Sequence, residues 1–121
     1  MTQIKNFEEL KCWQKARELV RIIYLNSKNG ELSKDFDLRS QLRRAAISTM
    51  NNIAEGFARI SKKDFIKFLD YSTSSAKEIK SMLYVLEDLN YVNEETLSEI
   101  RLLTNDTHNL TIGLIKYLRK K

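Results

Sequence analysis

Apolar residues recur along this chain at alternating spacings of three and four, the period of helices that bury one face. A first helix is predicted over residues 7–27, with Leu10, Trp13, Ala16, Val20 and Ile23 on one side. The polar stretch 28–37, which holds Asn29-Gly30, is predicted as a loop. A second helix over 38–58 turns Leu38, Leu42, Ala45, Thr49, Ile53 and Phe57 inward, and Ile47, Met50 and Ala54 form a second apolar stripe. Ser61 then reads as an N-cap, with Asp64 three residues on in a loose capping-box position. It opens a third helix over 62–89, whose stripe is Phe65, Leu69, Ser72, Ala76, Ile79, Leu83 and Leu86. Asn93 caps a fourth helix, where Glu94 and Glu95 suit the positive end of the helix dipole. Its stripe is Ile100, Leu103, Thr107, Leu110, Leu114 and Tyr117.

Four helices with short connections predict an all-α fold, an antiparallel up-down-up-down four-helix bundle forming a single domain over residues 1–121. Composition agrees. Average usage would place roughly six prolines in a chain of this length, yet there are none, and only three glycines. Long helices tolerate that scarcity of breakers; an all-β chain with its many turns does not. With 42% apolar and 31% charged residues the chain is not a disordered one. No apolar run reaches the roughly 18 residues of a membrane span. Cys12 stands alone, so no internal disulfide forms, and MTQIKNFEEL lacks the pattern of a secretion signal. The expected compartment is the cytoplasm.

The short turn between the second and third helices fixes their register, because both rise about 1.5 Å per residue. Ala45 is expected opposite Ala76, Ser48 and Asn52 near Ser72 and Leu69, and Arg43 and Arg44 near Glu78. This predicts a close seam of small and polar residues, with Glu78 pairing one of those arginines and Glu55 pairing Arg59 at i+4. The competing expectation is that Asn51, Asn52 and Glu55 simply face solvent.

These residues also carry a resemblance. Leu10-x-x-Trp13-Gln14-x-Ala16, then Leu38-x-x-Gln41-Leu42-Arg43-Arg44-Ala45-Ala46-x-Ser48, then Asn52-Ile53-Ala54-Glu55-Gly56-x-x-Arg59 resemble the four-helix-bundle family also called 23S rRNA intervening-sequence proteins. Phe65-x-x-Phe68-Leu69 and Ser75-Ala76-x-Glu78 continue the match, so that it spans nearly the whole chain. The chain departs from the family pattern at Cys12, Ser72 and Ser74, and in lacking a proline in the first loop. The resemblance implies a ring-shaped homopentamer. Through the related accessory proteins of diversity-generating retroelements, it also implies contact with nucleic acid, RNA or DNA, and with a reverse transcriptase as a protein partner.

Charge points the same way independently. Between residues 38 and 63 the bases Arg39, Arg43, Arg44, Arg59, Lys62 and Lys63 stand against a single acid, Glu55. That excess equals the formal charge of +5 on the whole chain. Lys116, Arg119, Lys120 and Lys121 extend the set, while residues 64–115 are acidic on balance. Segregated positive charge is what a polyanion-binding surface requires, and these ten residues are the candidate nucleic-acid contacts. A scaffold docking an acidic protein on the same face is the alternative.

Catalysis has poor raw material. His108 is the only histidine, no Glu-x-x-His pair exists, and one Cys with one His cannot build a zinc site, so no metal or cofactor is expected. Cys12 beside Trp13 is expected to be a small core residue. The chain is read as non-enzymatic. Apolar side chains that exceed one core stripe predict a homo-oligomer interface at Ile47, Met50, Ile112, Ile115 and Leu118. Trp13, Gln41, Asn52, Glu55, Gly56, Ser75 and Glu78 are read as the structural motif.

Overall fold

The computed structural model describes residues 3–121. Its helices are α1 (Lys11–Asn26), α2 (Gly30–Lys34), α3 (Phe36–Phe57), α4 (Lys62–Asp88) and α5 (Glu94–Arg119), preceded by a 3-10 turn at Phe7–Glu9. The four long helices pack as neighbours in the order α1, α3, α4, α5 and back to α1, so that α1 lies diagonal to α4, and α3 to α5. This is the expected antiparallel bundle.

Two clusters fill its core. An apical one gathers Leu19, Ile23, Leu32, Leu42, Ile79, Leu83, Leu86, Leu97 and Ile100 beneath the α4–α5 turn. A basal one gathers Leu10, Cys12, Ala16, Ile53, Leu69 and Ile115 near the α3–α4 turn and the end of α5.

The structure departs from the sequence reading in three places. The first predicted helix is interrupted. Leu10 is extended at ψ 125°, and Glu9 reaches back to accept from the N–H groups of Lys5 and Asn6 at 3.0 and 2.9 Å. The Gln14 carboxamide donates to the Glu8 carbonyl at 2.8 Å and lashes the 3-10 turn to α1. Leu10 thereby enters the basal core instead of continuing a helix.

The predicted first loop is partly helical. Gly30 takes φ +71°, which glycine adopts without steric cost, and the single turn of α2 that follows drives Leu32 into the apical core. Asp35 then starts α3 two residues early. One carboxylate oxygen accepts from the Leu38 N–H at 3.2 Å and the other from the Tyr91 hydroxyl at 3.0 Å. The cap and the tie to the α4–α5 turn are therefore one side chain. That hydrogen bond, foremost, raises the Tyr91 hydroxyl above its ordinary pKa of 10.0.

The buried face of α5 is rotated from the predicted one. It consists of Leu97, Ile100, Thr104, Thr107, Thr111 and Ile115; Leu103, Leu110 and Leu114 are half-buried, and Tyr117 is 42% exposed. The threonines enter the core because each hydroxyl donates to the carbonyl four residues back, at 2.7–2.8 Å. That leaves only a methyl to bury.

The predicted caps at Ser61 and Asn93 both accept from the N–H three residues on, Asp64 and Thr96. The end of α4 is a motif the sequence reading missed. Asn90 adopts φ +55°, Tyr91 N–H reaches the Leu86 carbonyl and Asn90 N–H the Glu87 carbonyl, which is a Schellman turn with asparagine in the left-handed position.

Candidate nucleic-acid interface

The α3–α4 seam is built as the register predicts. Ser72 is fully buried and donates across the helices to the Thr49 carbonyl at 2.7 Å. One turn away, the Ser48 and Ser75 hydroxyls lie 2.9 Å apart. Asn52 donates to both the carbonyl and the hydroxyl of Ser48, at 2.9 and 3.0 Å, and so belongs to this chain of bonds. Gly56 completes the approach: a methyl there would lie 2.8 Å from the Phe68 Cβ and 3.2 Å from the Phe65 carbonyl. Asn51 and Glu55 face solvent, as the competing expectation held for them.

The two predicted ion pairs of this region do not form. Arg43 turns the other way, donating from Nε to the Ser27 hydroxyl at 2.8 Å and lying 4.5 Å over the Tyr24 ring. Arg44 and Glu78 share the lining of a small pocket with Gln41, Ser48 and Ser75, but form no ion pair. Glu55 and Arg59 fail to meet because α3 ends at Phe57, so Arg59 leaves the helical i+4 geometry and lies 4.5 Å over Phe68 instead. Trp13 packs edge-on against Phe7 at 5.1 Å, with the Arg17 guanidinium 5.9 Å from its centre.

The ten basic candidates separate into groups. Arg39 donates to the Ser33 carbonyl at 2.7 Å, closing the end of α2, and Arg43 binds the residue that ends α1. Both serve the apical end of the fold. Arg59, twenty residues from Arg39, stands about 30 Å away along α3. Arg44 lies between. The remaining seven converge. Arg59 lies in the α3–α4 turn and Lys62 and Lys63 open α4; Lys116 and Arg119 lie in the last turn of α5, followed by Lys120 and Lys121. Antiparallel packing of α4 on α5 brings these two groups to the same basal end. Among the described residues none of Lys62, Lys63, Lys116, Arg119 and Lys120 has an ion-pair partner; Lys121 lies 4.9 Å over the Tyr117 ring. Asp64 in the first turn of α4 and Glu8 and Glu9 in the 3-10 turn also lie at this end, while Glu31, Asp35, Asp37, Glu87, Asp88, Glu94, Glu95 and Glu99 crowd the opposite one.

The predicted interface residues do not make one patch. Ile115 is 3% exposed and is a core residue of this chain, because the threonine face of α5 carries it inward. Met50, Ile112 and Leu118 are half-buried against the basal cluster, and Ile47 is also half-buried. They belong to α3 and α5, which sit diagonally across the bundle.

Cys12 is buried in the basal core, and that burial pushes its thiol pKa up, against a weaker opposing effect of the Thr111 hydroxyl. A thiol so placed stays protonated at neutral pH and is a poor nucleophile. Among the described residues no group of three or more His, Cys, Asp and Glu side chains could hold a metal ion, and no helix is long and apolar enough to cross a membrane.

One feature of the surface escaped the sequence reading. A cleft of about 510 Å³ opens between α4 and α5, bordered by Lys77, Lys80, Asn105 and His108. Its signal was present only as the isolated His108. Seeing the lysines opposite it required the pairing of α4 with α5.

Residues 8–113 match the family of 23S rRNA-intervening sequence proteins. A crystal structure of a protein of unknown function from the S23 ribosomal protein family of Bacteroides thetaiotaomicron is similar to the chain at 28% identity and a TM-score of 0.79. The similarity covers 87% of this chain and 95% of that one. No curated protein matches the chain. The family match spans most of the sequence and agrees with the seam of Asn52, Gly56 and Ser75: the chain belongs to the 23S rRNA-intervening sequence protein family.

Proposed function

We propose that this chain is a non-catalytic, homo-oligomeric nucleic-acid-binding protein whose contact surface is the basal end of the bundle. The supporting observation is the convergence there of Lys62, Lys63, Lys116, Arg119 and Lys120, with no ion-pair partner among the described residues. The positive end of the α4 dipole adds to Lys62 and Lys63, while Lys116 and Arg119 sit favourably at the negative end of α5. Contacts of this kind reach phosphates rather than base edges, so binding is tolerant of sequence and steeply dependent on salt. A homopentamer, the assembly the family resemblance implies, repeats the patch around a ring, and avidity then strengthens each weak contact.

Gel shift with structured RNA and with duplex DNA across a salt series tests this. Replacing Lys62, Lys63 and Lys120 by alanine lowers the slope of log affinity against log salt by roughly 2 to 3, about 0.9 per lost phosphate contact. Replacing Arg39 and Arg43 leaves the slope unchanged, since both point into the apical fold. Absence of binding at low salt overturns the reading. It would favour a protein-docking scaffold, for which the fully exposed Ile60, beside Arg59 in the same basic turn, is the specific support.

A further inference from the structure

Beyond the basal surface, we propose that the cleft between α4 and α5 is a binding site for a phosphate group. Three observations converge on it. The first is its shape and chemistry. The cleft holds about 510 Å³, with Ala76 and Thr104 as a buried floor and Lys77, Lys80, Asn105 and His108 around it, and no carboxylate lines it. That volume lies within the range of small-ligand pockets, roughly 300–1,000 Å³.

The second is the distribution of unsatisfied polar atoms. Among the described residues the buried side-chain nitrogens without a hydrogen bond are Nε2 of His108 and Nε and Nη2 of Arg101. Native proteins leave few such atoms, and each asks for a partner. His108 lines the cleft. Arg101 lies one helical turn from Asn105, outside the cleft lining. Arg101 Nη2 does face Glu87 at 3.6 Å, an ion pair too long to count as a hydrogen bond. Its guanidinium lies 5.1 Å over Tyr84, itself one turn beyond Lys80 on α4.

The third is the type of donor. The ammonium groups of Lys77 and Lys80 on α4 and the carboxamides of Asn105 and Asn109 on α5 line one void beside the His108 ring, while Thr104 is already committed to the Ile100 carbonyl at 2.7 Å. A tetrahedral oxyanion accepts from several directions at once, and charge-assisted bonds of this kind are the strong ones. The phosphate is carried either by a small monoester or by a nucleic-acid strand.

Because His108 is the only histidine, its imidazole gives a single pair of ring C–H cross-peaks in histidine-labelled protein. The full chain is titrated with inorganic phosphate at constant ionic strength, with chloride as the control. The expected result is a saturable shift of the His108 resonance that chloride does not reproduce. Lys77→Ala with Lys80→Ala raises the half-saturation concentration about tenfold or more, consistent with losing charge-assisted bonds. Lys77→Arg with Lys80→Arg retains binding and reports that the fold is intact. The source is separated by two further probes. If the natural ligand is a small monoester, a mononucleotide displaces phosphate as well as an oligonucleotide does per phosphate group. If it is a strand, the oligonucleotide competes far better and its advantage falls with Lys62→Ala and Lys63→Ala. A shift that is linear and shared with chloride, or one indifferent to Lys77 and Lys80, overturns the proposal. So does a His108 resonance that responds to protein dilution and not to phosphate, which would mark the cleft as covered by a second copy.

Discussion

Helix α4 has two flanks, and they are built on opposite plans. Toward α3 it presents Ser72, Ser75 and the Cβ of Phe68 to Thr49, Ser48 and Gly56, and every hydroxyl at that contact has a partner. Toward α5 it presents Lys77 and Lys80 to Asn105 and His108 across a cleft, and Tyr84 to the Arg101 guanidinium at 5.1 Å. The difference comes from side-chain length and pairing. Short hydroxyl side chains can reach across a close interface and satisfy one another. Long cationic side chains cannot pair with each other and stay out in solvent, so the interface stays open. One flank is therefore structure, and the other is available for a ligand.

The sharpest way to break that contrast is to enlarge the seam. Gly56→Ala puts a methyl 2.8 Å from the Phe68 Cβ and 3.2 Å from a backbone carbonyl, neither of which can swing aside. Overpacking costs about 1–3 kcal/mol, against a helix-propensity gain of up to about 1 kcal/mol. A net loss of about 1–2 kcal/mol is expected in urea denaturation. An unchanged midpoint would mean that α3 and α4 are not in close contact at this level.

Next in size is the polar chain. Ser48 is its hub, bonded to Ser75 across the seam and receiving Asn52 from the next turn. Ser48→Ala leaves the half-buried Ser75 hydroxyl without its partner and Asn52 with the Ser48 carbonyl alone, and is expected to cost about 1–2 kcal/mol. A double-mutant cycle with Ser75→Ala should show a coupling of at least about 0.5 kcal/mol; strict additivity would say that the 2.9 Å approach carries no energy.

How much of this was legible in the sequence follows from the range over which each signal acts. The seam could be read because the turn from Ala58 to Ser61 is short and helical rise is fixed, so positions on α3 name their partners on α4. The break at Leu10 and the turn of α2 were hidden because tertiary anchors, Leu10 and Leu32 entering the core, decide them. On α5 the leucines drew the predicted stripe toward Leu103, Leu110 and Leu114, whereas threonines that satisfy their own hydroxyls make the inner face. The basic set is the instructive failure. Arg39 and Lys62 are neighbours in a charge count along the chain, but most of the 22-residue helix α3 separates them, and the arginines near its start bind the fold itself. The α4–α5 cleft lay beyond reach because it depends on residues from two helices that the sequence does not juxtapose.

A second glycine sharpens the contrast from the opposite side. Gly113 lies in α5 with nothing within 4 Å of where a methyl would stand. The same substitution that harms the seam should here gain about 0.5–1 kcal/mol, from helix propensity and a less flexible unfolded chain. A rise in melting temperature for Gly113→Ala beside a fall for Gly56→Ala is the expected pair. A fall at both would show that the outer face of α5 is also packed, against another copy of the chain.

The smallest effect is expected at His108, and its direction is informative. Replacing a satisfied polar residue leaves its partner stranded, which is why Ser48→Ala is costly. The Nε2 atom of His108 has no partner to strand. His108→Leu removes a buried nitrogen that gains nothing in the folded state and substitutes apolar volume beside Ala76 and Thr104. Stability in ligand-free buffer should therefore change by no more than about 0.5 kcal/mol, or rise slightly. Added phosphate should stabilise the parent chain by mass action and leave the leucine variant less affected. A loss approaching that of Ser48→Ala, measured without any anion, would mean that the imidazole already has a structural partner and that the two flanks of α4 are alike after all.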